Sequence, residues 1–256
     1  MSTPVEIPPF LLKLLRAARH LVVFTGAGMS AESGVPTFRD AQTGLWAQYD
    51  PAELATPEAF RQHPKRVWDW YAWRRELVAR ARPNPGHRAV AEMERYVPQV
   101  TVVTQNVDGL HQDAGSSRVI ELHGNLRRIV CSRCRREVPR EQWAPAGPEG
   151  VPRCPHCGGL LRPDVVWFGE PLPGDAWRAA QQAMRTADGV LVVGTSGLVY
   201  PAAGLPLEAK AQGAWTMEVN PTPSALSAEM DYVLRGPAGE VLPALVRAAW
   251  GDAAGA

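Results

Sequence analysis

The stretch Leu21-Val22-Val23-Phe24-Thr25-Gly26-Ala27-Gly28-Met29-Ser30-Ala31 joins a β-branched apolar run to a glycine-rich turn. A run apolar on both faces reads as a buried strand of a parallel sheet. The turn fits the pattern G-x-G-x-x-G/A in the place that pattern needs, directly after a strand. Glycines there let the backbone bend sharply and approach a pyrophosphate, whose charge meets unpaired N–H groups and the positive end of a helix dipole. A tight strand-to-helix turn with no ligand satisfies the same pattern, and it is the position after a strand that favours a nucleotide. An ordinary dehydrogenase of this kind closes its second strand with an acidic residue roughly 20 positions on. Here that region reads Thr43-Gly44-Leu45-Trp46-Ala47-Gln48-Tyr49-Asp50, which is no strand, so hydride transfer is disfavoured. The intervening Glu32-Ser33-Gly34-Val35-Pro36-Thr37-Phe38-Arg39-Asp40 is a loop with an aromatic, a cation and an acid side by side, suited to closing over a nucleotide.

Working outward, Val100-Thr101-Val102-Val103-Thr104, Val190-Leu191-Val192-Val193-Gly194 and Trp215-Thr216-Met217-Glu218-Val219 have the same buried-strand character. Residues 9–19, 86–95, 173–187, 201–212 and 240–250 carry apolar side chains at helical spacing and predict helices covering a sheet. The alternation predicts an α/β fold with a doubly wound parallel sheet, Rossmann-like. Two stretches break the rhythm: a helical, aromatic-rich insertion at 40–82 and a cysteine-bearing insertion at 128–162. Both read as insertions into a main unit made of 1–39, 83–127 and 163–256. The second insertion is rich in Pro, Gly, Arg and Cys with almost no apolar periodicity, and reads as unable to hold itself together by burial. There are no internal repeats, and both ends are expected to be loose.

The chain has 256 residues, 45% hydrophobic and 21% charged, with 27 basic against 26 acidic side chains for a net charge of +1. That composition excludes disorder for most of the chain. Balanced charge without a basic run argues against nucleic acid as partner, because phosphate binding needs clustered Lys and Arg. The apolar-looking residues 10–25 are interrupted by Lys13, Arg16, Arg19 and His20, so they form neither a membrane span nor a signal core. A cytoplasmic protein with no membrane partner is the expectation.

All four cysteines lie in Cys131-x-x-Cys134 and Cys154-x-x-Cys157, with nineteen residues between the pairs. This is the spacing of a zinc ribbon, in which four thiolates fill the tetrahedron and leave no open position for water. The metal then staples a segment that lacks a core. Redox-active pairs or two disulfides are the alternatives. His156 lies inside the second pair and reads as an exposed residue of the knuckle.

In a doubly wound sheet, ligands bind beyond the carboxyl ends of the strands. There stand Thr104-Gln105-Asn106-Val107-Asp108-Gly109, Val119-Ile120-Glu121-Leu122-His123-Gly124, Gly194-Thr195-Ser196 and Asn220. An imidazole beside glycine has room for a substrate and a pKa of about 6.5 suited to a general base, while a simple hydrogen bond in a turn explains His123 equally well.

As an ordered set, these motifs together with Val165-Val166-Trp167-Phe168-Gly169-Glu170 resemble the sirtuins, NAD-dependent protein lysine deacylases. The resemblance spans nearly the whole chain. It implies the sirtuin fold, with NAD and an acyl-lysine in the cleft between a dinucleotide-binding domain and a small domain made of the two insertions, 40–82 and 128–162, with one structural zinc. It also implies the chemistry: the acyl oxygen attacks the ribose carbon as nicotinamide leaves, a histidine takes a proton from a ribose hydroxyl, and water releases lysine and 2'-O-acyl-ADP-ribose. By position His123 is that base, with Asn106 and Asp108 at the nicotinamide and its water and Gln105 on the nicotinamide ribose. Gly26, Ala27, Gly28, Ser30, Thr37, Phe38 and Arg39 surround the pyrophosphate and the reacting carbon. Gly194, Thr195 and Ser196 meet phosphate and ribose, Asn220 the adenine ribose, and the backbone at Ala238 the adenine. Val166, Phe168, Gly169 and Glu170, with Tyr200 in the facing segment 197–200, pair with the substrate backbone as an added strand, a sequence-tolerant mode of binding.

Tyr71 and Arg74 stand at i and i+3 on one predicted helix face. Spacing alone reads them as an aromatic core stripe with surface arginines. Within sirtuins, Tyr-x-x-Arg at this place resembles the mark of the subclass that removes succinyl and malonyl groups, because a phenol and a guanidinium grip a carboxylate. Ala55 matches the small residue that makes room for the longer chain. The expectation is therefore a desuccinylase and demalonylase that also removes acetyl, acting on acylated lysine segments of proteins. The competing readings are a protein ADP-ribosyltransferase, a zinc-ribbon binding module on an inactive nucleotide-binding fold, and an NAD oxidoreductase. The oligomeric state is left open, with a monomer favoured.

Overall fold

A computed structural model describes residues 6–36 and 54–251. The predicted α/β architecture is present. In chain order it runs α1 (Pro9–Ala17), β1 (His20–Thr25), a 3-10 helix (Ala27–Ser33), α2 (Pro57–Gln62), α3 (Pro64–Arg80), α4 (Pro85–Met93), β2 (Gln99–Thr104) and α5 (Leu110–Asp113). It continues with β3 (Val119–Glu121), β4 (Gly124–Cys131), β5 (Leu161–Val165), α6 (Gly174–Thr186), β6 (Gly189–Val193), α7 (Leu205–Ala211), β7 (Trp215–Asn220), β8 (Tyr232–Arg235) and α8 (Ala238–Trp250).

Six strands form one sheet in the order β3-β2-β1-β6-β7-β8, every neighbour parallel. With β4 and β5 set aside, this is the strand order of a dinucleotide-binding fold. β1 and β6 are buried along their whole length, as the both-face apolar runs require. One face of the sheet is covered by α1, α4 and α8, whose Leu11, Leu15, Val90, Met93, Leu242 and Leu245 are fully buried. The other is covered by α6 and α7, through Ala180, Met184, Leu205 and Ala209. The strand order reverses between β1 and β6, and there the glycine turn after β1 meets the turn after β6.

β4 and β5 pair antiparallel in a sheet of their own, and the cysteine-bearing segment leaves and returns through them. They build a third core with α2 and α3: Phe60, Trp68, Tyr71 and Val78 pack with Leu126, Ile129, Val138, Val151, Leu161 and Trp167. The 128–162 segment, expected not to hold itself together by burial, thus packs on the helical insertion. Its apolar residues are few and scattered, but Val138, Val151 and Leu161 join the cluster of α2 and α3, so the two insertions share one core. Among the described residues no helix is long and apolar enough to cross a membrane.

Candidate active site

The crevice at the switch point is formed by two glycine turns in close contact. Gly194 has φ +62, and a Cβ there would stand 2.3 Å from the Met29 nitrogen, while one on Gly28 would stand 2.8 Å from the Gly194 Cα. The Gly26 amide donates to the Val193 carbonyl at 3.0 Å and the Gly28 amide to the Gly194 carbonyl at 2.8 Å. The glycines are needed for the approach of the two turns, and their N–H groups are engaged by the fold. Ala27 opens the short 3-10 helix that follows.

Over this floor lies a buried polar network. The Asn106 side-chain amide donates to the Gly26 carbonyl at 3.0 Å and to Ser30 Oγ at 3.2 Å. Ser30 donates to Asp108 Oδ2 at 2.7 Å, and the Leu110 amide donates to Oδ1 at 2.9 Å. Burial pushes the Asp108 carboxyl above its ordinary pKa, and these two donors oppose the shift. Gln105 Nε2 donates to Thr195 Oγ1 at 3.1 Å, and Asn220 Nδ2 to the Thr195 carbonyl at 2.8 Å. The Ser196 carbonyl accepts from the Ala225 amide. Ala238 begins α8, packed against Gly86, and the neighbouring Gly239 amide donates to Glu32 Oε2 at 2.6 Å, which ties that helix start to the glycine turn. Thr37, Phe38 and Arg39 lie outside the described residues.

His123 stands at the end of β3. Its Nδ1 lies 3.0 Å from the Gln105 carbonyl oxygen, which only accepts, so Nδ1 carries the proton. Among the described residues nothing is bonded to Nε2. Burial holds its pKa below the ordinary imidazole value, against the pull of the Gln105 carbonyl. Its own carbonyl accepts from the Val166 amide at 2.9 Å. Gly124, next in sequence, has φ +81, and a Cβ there would stand 2.0 Å from the Asp164 carbonyl oxygen.

The run 166–170 therefore starts against His123, and its Phe168 amide reaches the carbonyl of the buried Ala55 at 2.9 Å. Phe168, Leu198, Val199 and Tyr200 are exposed apolar side chains, the last three consecutive in the chain. Gly169 has φ +86 at the turn of the run. The Glu170 carboxylate is engaged internally, by Arg162 at 2.6 and 2.8 Å and by the Trp167 amide at 2.9 Å.

Beneath this run, α3 presents Tyr71 and Arg74. Tyr71 is buried and Arg74 half-buried beside it; burial raises the Tyr71 pKa and lowers that of Arg74. The guanidinium lies 5.0 Å from the Trp70 ring centroid and 5.6 Å from that of Tyr71. Among the described residues no carboxylate forms an ion pair with Arg74, and the acidic group whose charge reaches it is Asp108.

Several polar residues of the site escaped the sequence reading. Asn84 and His87 form a capping box at the start of α4, and the Asn84 side chain also holds the Met29 carbonyl at 2.8 Å. The Asn84 amide donates to His87 Nδ1 at 3.3 Å, leaving the proton on Nε2, 3.4 Å from Ser30. His111 packs edge-on against His87, with centroids 4.9 Å apart, and bonds Thr25 Oγ1 at 3.1 Å. Thr25 donates to Thr104, whose hydroxyl accepts the Asn106 amide. The Asn-Pro-Gly-His string of a capped helix start was the one available signal for Asn84 and His87.

The four cysteine sulfurs gather within 4.8 Å of one another, with Cys131 and Cys157 at 3.4 Å and Cys134 and Cys154 at 3.9 Å. These separations are far too long for disulfides and suit a tetrahedron of thiolates about one zinc. His156 is exposed at the knuckle, and the four sulfurs suffice without it.

A family model described as the Sir2 family matches residues 26–201. The chain belongs to the Sir2 family. An NAD-dependent protein deacylase of Pyrobaculum aerophilum is 56% identical to this Sir2 chain over 91% of it and 92% of the relative, and one of Methylococcus capsulatus 50% identical over 95% and 97%. A Sir2 homologue bound to NAD superposes with TM-score 0.88 at 47% identity, covering 98% and 97% of the two chains. A point mutant of a Sir2 homologue with ADP-ribose gives TM-score 0.90 at 48% identity over 98% and 99%. A Sir2 protein bound to a myristoylated histone peptide gives 0.75 at 36% identity over 95% and 96%.

Proposed function

We propose that the chain is an NAD-dependent protein-lysine deacylase that removes succinyl and malonyl groups as well as acetyl, in the cleft between the unit 1–39, 83–127 and 163–256 and the unit 40–82 and 128–162. NAD, consumed as co-substrate, supplies an electrophilic ribose carbon for the acyl oxygen and nicotinamide as leaving group. His123 takes a ribose proton at Nε2, with Nδ1–H fixed on the Gln105 carbonyl so that the free lone pair points one way. Ser30, Asn106 and Asp108, held to one another, present amide and carboxylate groups to the nicotinamide and a water. Gln105, Thr195 and Asn220, bonded to one another through Thr195, line the nucleotide crevice, with the glycine turns beneath.

The acyl-lysine enters between 166–170 and 197–200, whose main chain pairs with the substrate backbone while the exposed Phe168 and Tyr200 cover it. The zinc holds the small unit's shape and takes no part in bond making.

What carries the choice of acyl group is the half-buried Arg74 guanidinium, which has no carboxylate partner among the described residues and a phenol beside it. A buried cation lacking a counter-ion is costly, and a substrate carboxylate supplies one. The test is kcat/KM for one peptide carrying acetyl- or succinyl-lysine with wild type and Arg74→Met. Desuccinylation should fall about 100-fold, the scale of a lost charge-assisted bidentate contact, with deacetylation changed little. Equal loss of both activities overturns the acyl assignment.

A further inference from the structure

We propose that Trp167 is a positioning residue for acyl selection, acting through the hydroxyl of Tyr71; this rests on the reading of Tyr71 and Arg74 as the carboxylate clamp. The indole Nε1 lies 2.9 Å from Tyr71 Oη in a buried bond. An indole nitrogen only donates, so the phenol oxygen accepts. Arg74, which also only donates, stands beside the same ring, its guanidinium 5.6 Å from the ring centroid. Neither neighbour can accept, so the phenol proton is left to point toward a third partner. Among the described residues none accepts it. A succinyl or malonyl carboxylate is the acceptor that completes this geometry; an acetyl group has no such oxygen at that depth.

The indole is held in place from every side. The Arg162 guanidinium lies 3.4 Å from the Trp167 ring centroid, and Phe60 packs on the ring at 5.3 Å. Arg162 is itself buried and fixed by two bonds to Glu170 and one of 2.9 Å to the Val165 carbonyl. Glu170 in turn accepts the Trp167 amide. The β5 arginine thus fixes the ring, and the ring fixes which way the Tyr71 hydroxyl donates. Removing the indole N–H frees one lone pair on a buried oxygen and lets the hydroxyl turn from the acyl carboxylate.

The experiment is a double-mutant cycle on the full, zinc-containing chain: wild type, Trp167→Phe, Tyr71→Phe and the pair. Each is assayed for kcat/KM on two peptides identical except for acetyl or succinyl on one lysine. The 166–170 run also touches substrate backbone, so a loss common to both peptides is expected and uninformative; the succinyl-to-acetyl ratio isolates the clamp. Trp167→Phe should lower that ratio about fivefold, the scale of one neutral hydrogen bond. In the Tyr71→Phe background it should lower it no further. An unchanged ratio, or the same fivefold fall without the Tyr71 hydroxyl, overturns the proposal. 3-Benzothienylalanine at position 167 alone removes the N–H while keeping the ring's shape, and should give the same ratio change if the Phe variant folds poorly. A wild type that removes no succinyl overturns the clamp and this inference together; desuccinylation with an additive cycle overturns this inference alone.

Discussion

The Nδ1 proton of His123 is held by the carbonyl oxygen of Gln105 at 3.0 Å, which leaves Nε2 as the ring's free lone pair. Burial depresses this imidazole's pKa below 6.5, with the carbonyl bond opposing. A base must be neutral, so the acid limb of kcat/KM against pH should have its midpoint below 6.5. A limb assigned to His123 at or above 6.5 contradicts this. His123→Ala should cost on the order of 100- to 10,000-fold in deacylation and remove that limb.

Burial lowers His87 to a pKa of about 4 and His111 to about 3. Protonating His87 would set a second N–H against the Asn84 amide that Nδ1 accepts. Both folded-state values lie below the unfolded value of about 6.5, so the stability these groups confer is complete above pH 6.5 and is lost as pH falls toward 4 and 3. Between pH 7 and pH 5 each loses on the order of 2 kcal/mol, and Tm should drop by roughly 10 °C in calorimetry with zinc content checked at both pH values. His111→Gln, less stable at pH 7, should show a shallower fall. A Tm flat from pH 7 to 5 contradicts the buried neutral pair.

Gly124→Ala should separate β4 from β5 at His123. The added methyl meets the Asp164 carbonyl at 2.0 Å, in a conformation that alanine resists. Neither backbone can yield alone, so deacylation and thermal stability should fall together. Retention of wild-type kcat/KM would mean that the strand pair does not set the histidine's place.

The six-stranded sheet was legible because its central strands are apolar on both faces, and the zinc site because cysteine spacing is a local property. β4 and β5 were not. Arg127, Arg128, Arg162, Pro163 and Asp164 read as loop, yet Arg128 pairs with Glu121 and Asp164, and Arg162 with Glu170, so charges sit in strands by neutralising one another. His87 and His111 carry no local mark of burial, which comes from Ser30 and Thr25 arriving from distant segments. The bond from Trp167 to Tyr71 spans ninety-six positions, and no local pattern announces it. The cysteine-bearing insertion has no apolar period of its own, and its part in the core comes only from complementarity with the helical insertion.

Four thiolates leave the metal no open position. Exchange of zinc for cadmium should therefore leave kcat within about twofold, whereas Cys154→Ser should lose the metal, lower Tm and abolish activity. Metal content by mass spectrometry with parallel kinetics checks this, and a kcat that follows the identity of the bound metal would place it in the chemistry.

The most direct measurement is mass spectrometry of the purified protein with NAD and two peptides identical but for acetyl or succinyl on one lysine. Deacylated peptide should appear from both, only with NAD present, together with nicotinamide and an acylated ADP-ribose carrying the matching acyl group. Nicotinamide release with neither peptide changed, or no consumption of NAD at all, would contradict a lysine deacylase.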